Sequence, residues 1–177
     1  YRLGHGKVID HMFMDGLEDA YDKGKLMGCF ADDTAKKLGI TRDDQDKFAL
    51  ASLERAKAAM AAGAFADEIA PVKVKDTNIA EDEGPKKARP EKIPQLKPAF
   101  TPEGTVTAAN ASSISDGAAA LVLMRASEAL KRNLKPLAVI RGQASHAQKP
   151  AEFTVAPIAA MRKALEKAGW SAKDVDL

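Results

Sequence analysis

Cysteine is almost absent from this 177-residue chain, which has a single one, Cys29. One thiol excludes an internal disulfide framework and a multi-cysteine metal site. It suits a reducing compartment, so a cytoplasmic location is expected. Aromatic residues make up only 5% of the sequence. An excess of charge of either sign is also missing, since 27 basic side chains face 25 acidic ones for a formal net charge of +2. Binding nucleic acid or an anionic membrane calls for a basic excess that neutralises phosphates, so neither partner is expected. No run approaches the roughly 20 apolar residues that cross a bilayer, and Tyr1-Arg2-Leu3-Gly4-His5-Gly6 holds no apolar signal region.

What is present fits an ordinary globular protein, at 45% hydrophobic and 29% charged residues. A domain of this size buries roughly 68 to 70% of the surface its unfolded chain exposes, enough for a core. The first residue is not Met, and Asp174-Val175-Asp176-Leu177 reads as the onset of a strand. The chain is therefore expected to be a piece of a larger protein.

Local patterns predict the elements. Val8, Ile9, Met12, Phe13 and Leu17 have the spacing of a short helix, weakened by Gly16. A second helix is expected over Phe30–Leu38, closed by Gly39 in a left-handed cap. A third starts at Thr41, whose hydroxyl can cap the first turn. It runs to about Ala62 with Ala49, Leu53, Ala56 and Met60 as a narrow core-facing stripe, and Gly63 stops it. After a short strand at Val72–Val74, residues 75–98 carry four prolines and mixed charge without apolar periodicity, which predicts a long surface excursion. Ala118–Met124 and Leu137–Ile140 are apolar runs without alternation, as expected of buried strands. A short helix from Ser127 to about Asn133 separates them, and a last helix from Pro157 turns Ile158, Met161, Leu165 and Ala168 inward before Gly169. Strand, helix, strand, helix describes an α/β layer fold.

Few residues advertise chemistry by themselves. Cys29 follows Met27-Gly28 at a helix entrance, compatible with a stabilised thiolate, although a small packed residue is the favoured reading. His5, His11 and His146 have no metal spacing and no acidic partner at a telling interval, so no metal is expected. The carboxylate pairs Asp32-Asp33 and Asp43-Asp44 lie near helix starts, where electrostatics explains them. The segment most in need of explanation is GTVTAANASSISDG at 104–117. Its small residues let a ligand approach the backbone, and Ser112, Ser113 and Ser115 offer hydroxyls to an amide-bearing ligand. Small residues also serve tight packing.

That segment closely resembles the thiolases, the acyl-CoA C-acyltransferases. The likeness continues in order through DGLEDAYDKGKLMGCFADDTAKKLGITRDDQDKFALASLERAKAAMAAGAFADEIAPV at 15–72, LKPAFTPEGTVTAANASSISDGAAALVLM at 96–124 and PIAAMRKALEKAGWSAKDVDL at 157–177. It corresponds to the central part of a thiolase subunit, less than half of it. The resemblance implies a layered αβαβα α/β fold, with residues 1–114 as the inserted loop domain that covers coenzyme A and makes tetramer contacts. Residues 115–134 would end the N-terminal half, and 135–177 would open the C-terminal half.

Carried over by position, the resemblance implies coenzyme A or acyl contacts at Ser112, Ala108, Phe100, Leu17 and Met27, and a nucleotide-end contact at Lys86. The match at Lys86 requires a gap. Leu26 departs from the histidine many members have there, and Cys29 does not match the family nucleophile. The family's nucleophilic cysteine and its asparagine, histidine and second cysteine motifs have no counterpart here, so no catalytic residue is assigned. The implied function is Claisen condensation of acetyl-CoA, or thiolysis of a 3-ketoacyl-CoA, by the intact enzyme, with this chain alone inactive. The partners implied are acyl-CoA, the rest of a thiolase subunit and further copies in a tetramer; coenzyme A thioesters are substrates and no cofactor is needed. The alternative is a non-catalytic thiolase-like protein that binds acyl-CoA or lipid, or an oligomerisation module.

Overall fold

In the computed structural model, residues 2–115 and 118–176 are described. Asp116-Gly117, at the end of the small-residue segment, and the terminal Tyr1 and Leu177 lie outside the described residues. The chain divides into two units, Tyr1–Ser113 and Ile114–Leu177.

The first unit is built on two helices whose ends are set by local chemistry. Helix α1, Met27–Leu38, closes on Gly39 at φ 68°, the left-handed cap expected from the sequence. It begins earlier than expected, directly after Leu26, which forms an isolated antiparallel bridge with Glu18. Helix α2, Arg42–Ala61, starts in a capping box. The Asp44 amide donates to the Thr41 hydroxyl at 3.1 Å, and the Thr41 amide donates to the Asp44 carboxylate at 3.0 Å. The stripe Ala49, Leu53, Ala56 and Met60 is only half-buried, and the buried residue of α2 is Asp46. A polar anchor rather than an apolar stripe therefore holds this helix. Asp46 takes the Arg42 Nε–H at 2.8 Å, while the two other guanidinium nitrogens donate to the carbonyls of Leu96 and Ile93 at 3.0 and 2.9 Å. Satisfying three acceptors with one planar cation is what arginine geometry permits.

The expected strand at Val72–Val74, β1, pairs antiparallel with β2, Thr77–Ile79, in the register Val72 with Ile79 and Val74 with Thr77. The turn between them places Lys75 at φ 53°. The stretch expected as a long surface excursion is mostly exposed and partly ordered. It holds β2, the short helix α3 at Glu83–Lys87, and a 3₁₀ turn at Pro90–Gln95 whose Ile93 is buried. Its elements are too short to leave an apolar period in the sequence. Near the start of the chain, Phe13–Leu17 forms a single turn of π-helix.

The second unit contains α4, Ala126–Lys131, and α5, Ala156–Ala168, with Pro157 in the first turn and Gly169 at φ 70° as its cap. The inward face of α5 differs from expectation, since Ile158 and Met161 are exposed while Leu165 and Ala168 are half-buried. Gly142 explains part of this: a Cβ there would lie 2.5 Å from the Ala164 carbonyl oxygen, so the backbone near 142 runs against that side of α5. Lys167 Nζ fixes the contact by donating to the Gln143 carbonyl at 2.9 Å.

The runs 118–124 and 137–140, expected as buried strands, form no ladder among the described residues. Leu121, Val122, Leu123, Leu137, Val139 and Ile140 are exposed. A strand requires a neighbour for its backbone N–H and C=O groups, which composition alone does not supply. Where a strand onset is expected over 174–177, Asp174 closes a 3₁₀ turn, Ala172–Asp174, capped by Ser171; Val175 has extended backbone and Leu177 lies outside the described residues. No helix among the described residues is long and apolar enough to cross a membrane.

Candidate functional site

The carboxylate of Asp32 organises the first unit. Asp32 is 8% exposed, and its Oδ1 accepts from two consecutive backbone amides, Thr105 at 2.8 Å and Val106 at 2.9 Å. Its Oδ2 accepts from the Thr101 hydroxyl at 2.9 Å. A carboxylate acceptor makes stronger bonds to amides than a neutral one, and the Val106 bond is fully buried. Its sequence neighbour Asp33 faces outward and pairs with Lys25 at 2.8 Å. The hydrogen bond that Lys25 donates to Asp33 raises the Lys25 ammonium above the usual lysine pKa, and Lys25 also lies 4.2 Å above the ring of Phe30. Asp32 and Asp33 are therefore a split pair, one holding a distant loop and one a surface lysine, rather than two carboxylates serving the helix start.

The loop held by Asp32 carries several residues singled out in the sequence. Phe100 precedes Thr101, and its ring lies so close to the first turn of α1 that a Cβ on Gly28 would be 2.2 Å from it. Beyond Val106, Thr107 is fully buried, and its amide donates to the side-chain oxygen of Asn110 at 2.7 Å. Asn110 Nδ2 donates to the Thr105 carbonyl at 3.1 Å, and the Ala111 amide returns to the Thr107 carbonyl at 3.0 Å. This turn presents Ala108 and Ser112, both exposed. Gln45 of α2 adds a bond to the Thr105 hydroxyl at 2.8 Å.

Among the residues predicted as contacts, Met27 is the first residue of α1, next to the Gly28 that Phe100 covers, and Leu17 directly precedes Glu18, which bridges Leu26, the residue before Met27. Leu17, Met27 and Phe100 are half-buried. Ser112 lines a cleft of about 570 Å³ with Phe48, Ala49 and Ser52 of α2. Lys86 lies elsewhere, on a larger cleft of about 1120 Å³ floored by Met60, Phe65, Ile69 and Ile79. There it is ion-paired with Glu81, and the two clefts share no lining residue. Cys29 is a half-buried free thiol. His11, read as lacking an acidic partner, stands 3.7 Å from Asp15 one turn on, both well exposed.

The polar anchors Asp32, Asp46, Arg42 and Asn110 were not visible as a set in the sequence. The one available signal was the doubled Asp32-Asp33 in a helix, where both carboxylates cannot face the same way.

Comparison with known proteins puts this arrangement in a family. Residues 1–127 match the thiolase N-terminal domain and residues 134–177 the thiolase C-terminal domain. The chain belongs to the thiolase family. It is 49% identical over 181 residues to the acetyl-CoA acetyltransferase of Rhizobium meliloti, covering 99% of this chain and 46% of that protein. Against the probable acetyl-CoA acetyltransferase of Dictyostelium discoideum the identity is 50% over 181 residues, covering 99% and 44%. The crystal structure of the Bacillus anthracis acetyl-CoA acetyltransferase superposes with a TM-score of 0.88 at 39% identity, covering 99% of this chain and 45% of that one. The fold is that of the thiolases, an α/β fold. This thiolase chain spans about half the length of the curated relatives it matches.

Proposed function

We propose that the chain is part of an acetyl-CoA C-acyltransferase and contributes binding surface for coenzyme A. Residues 1–114 form the loop domain that covers the ligand, 115–134 end the N-terminal thiolase half, and 135–177 open the C-terminal half. The observation carrying this reading is the fixed relation between the start of α1 and the loop at 99–112. Through Asp32, Met27 and Phe100 are held in one body with Ala108 and Ser112. A pantetheine arm has amides that need polar partners and methylenes that need cover, which the exposed Ser112 hydroxyl and the half-buried Met27 and Phe100 side chains of the same body can supply.

In the intact enzyme a thiolate takes the acyl group of a first acyl-CoA, whose coenzyme A leaves as the thiol. A second acyl-CoA, deprotonated beside its thioester, then attacks the acyl-enzyme carbonyl, forming the carbon–carbon bond and expelling the enzyme thiolate, and thiolysis is the reverse. Both stages develop negative charge on oxygen that oriented donors must stabilise. The proposed share of this chain is to bind the remote handle of the substrate, whose binding energy orients the reacting thioester. Neither the thiolate nor those donors are assigned to it. Within that reading, Lys86 serves the nucleotide end as a point charge, in competition with its partner Glu81.

Calorimetric titration with coenzyme A and an acetoacetyl-CoA thiolysis assay test the proposal. Binding without turnover is the expected result. Turnover that Cys29→Ala abolishes would overturn the assignment of an inactive chain, and absence of binding would overturn the coenzyme A role. Association of the chain without ligand binding would favour the assembly reading.

A further inference from the structure

We propose that Asp32 is a positioning residue for the coenzyme A surface, acting through the amides of Thr105 and Val106; this rests on the coenzyme A reading above. Asp32 lies on α1, while the residues it holds begin the loop that ends at Ser112. Its two oxygens take three donors from that loop, two of them backbone amides on consecutive residues. Adjacent amides directed at a single oxygen fix the direction of the backbone as well as its distance. The Ala99 amide also donates to the Val106 carbonyl at 2.8 Å, so the loop is closed on itself at the residue Asp32 grips.

The approach is close enough to exclude a side chain on the facing residue. A Cβ on Gly104 would lie 2.3 Å from Asp32 Oδ2 and 2.5 Å from the Thr101 hydroxyl oxygen. From this point the chain passes through the Thr107–Asn110 turn to Ser112. The placement of Ala108 and Ser112 relative to Met27 therefore runs through this carboxylate on the α1 side, while Gln45 holds the Thr105 hydroxyl from α2. Asp32 is removed from water in this cluster and is given no ligand contact; its effect on affinity comes from keeping the loop in the bound arrangement before the ligand arrives.

Substitutions separate this role from general stability. Asp32→Ala leaves the half-buried Thr105 amide and the buried Val106 amide without this acceptor, whereas Asp32→Asn keeps one oxygen for both amides and turns its NH2 toward the Thr101 oxygen. Gly104→Ala displaces the carboxylate without removing it, and provides the comparison should Asp32→Ala not fold. Ala35→Gly weakens the buried face of the same helix while leaving the clamp intact. Titration with coenzyme A is expected to show a loss of about tenfold or more for Asp32→Ala and Gly104→Ala, as prior ordering of the loop is lost. Asp32→Asn is expected to bind within about threefold of the unaltered chain, because an amide oxygen still accepts both bonds. Ala35→Gly should lower the urea midpoint with its coenzyme A affinity unchanged. Hydrogen exchange at Thr105 and Val106 should accelerate in Asp32→Ala and stay slow in Ala35→Gly.

Unchanged affinity in a folded Asp32→Ala or Gly104→Ala chain overturns the positioning role alone. An equal loss in Ala35→Gly also overturns it. If the unaltered chain does not bind coenzyme A, the coenzyme A reading itself fails, while the exchange rates still report whether Asp32 holds the loop.

Discussion

The ring of Phe100 occupies the space that a side chain on Gly28 would need, with its Cδ2 and Cε2 atoms 2.2 Å from where a Cβ would stand. The glycine is required here by close approach, since it sits in a helix where alanine would otherwise be the better residue.

Gly28→Ala sets two effects against each other. Alanine favours a helix interior over glycine by about 1 kcal/mol. Forcing an extra methyl into an occupied space costs about 1 to 3 kcal/mol. At a separation of 2.2 Å the second effect dominates, so net destabilisation and displacement of Phe100 from the Met27 side are expected. Urea unfolding of Gly28→Ala, Phe100→Ala and the double variant measures it. The double variant should lose less than the sum of the singles, by a coupling of about 1 kcal/mol or more.

Acid should loosen the start of α2 in a way assignable to one group. Hydrogen bonds from the Thr41 hydroxyl and then from its amide hold the Asp44 carboxyl below the usual carboxylate range. The native state thus binds a proton at Asp44 less readily than the unfolded chain. The stabilising contribution is complete above the ordinary aspartate pKa and is lost as pH falls through the depressed one. Urea midpoints at neutral and strongly acid pH should converge between the unaltered chain and Asp44→Asn as pH falls. A constant gap would show that the ionised carboxylate contributes nothing to the cap.

The exposed apolar run at 118–124 should make the isolated chain self-associate. Leu121, Val122 and Leu123 are all exposed, with Val122 at 89%. An exposed apolar segment that forms no ladder among the described residues is a template for pairing with another chain. Val122→Lys is expected to reduce the mean mass measured by light scattering at equal concentration, while the helical circular dichroism signal is unchanged. The same mean mass in both chains would assign association to another surface.

What could be read from the sequence follows from how far apart the interacting residues are. Gly39, Thr41 and Gly169 act on residues within one turn of themselves, so the ends of α1, α2 and α5 were legible. The strands expected at 118–124 and 137–140 are not formed among the described residues, because apolar composition identifies a segment suited to a sheet without supplying its neighbour. The half-buried stripe of α2 shows the same limit: the period identified a helix, but Asp46 and Arg42 supply its anchorage. Of the candidate site, the loop at 104–112 stood out by composition. Asp32 did not, since nothing near it in sequence names Thr105 as its partner. Family resemblance selected Met27, Phe100 and Ser112 by position, and the physical connection between them required coordinates.

The Asp32 clamp joins residues separated by 69, 73 and 74 positions. Contacts of such long range close a large loop, whose entropy must be lost before the bonds compensate for it. α1 and α2 can begin from their own ends, but the surface proposed to take coenzyme A, which draws on both Met27 and Ser112, comes into being only when that loop closes. Conversely, a single cut in the backbone between β2 and α3 would leave both flanks of this surface hydrogen-bonded to each other. Its assembly depends on chain ends meeting in space, and its continuity does not depend on the chain that connects them.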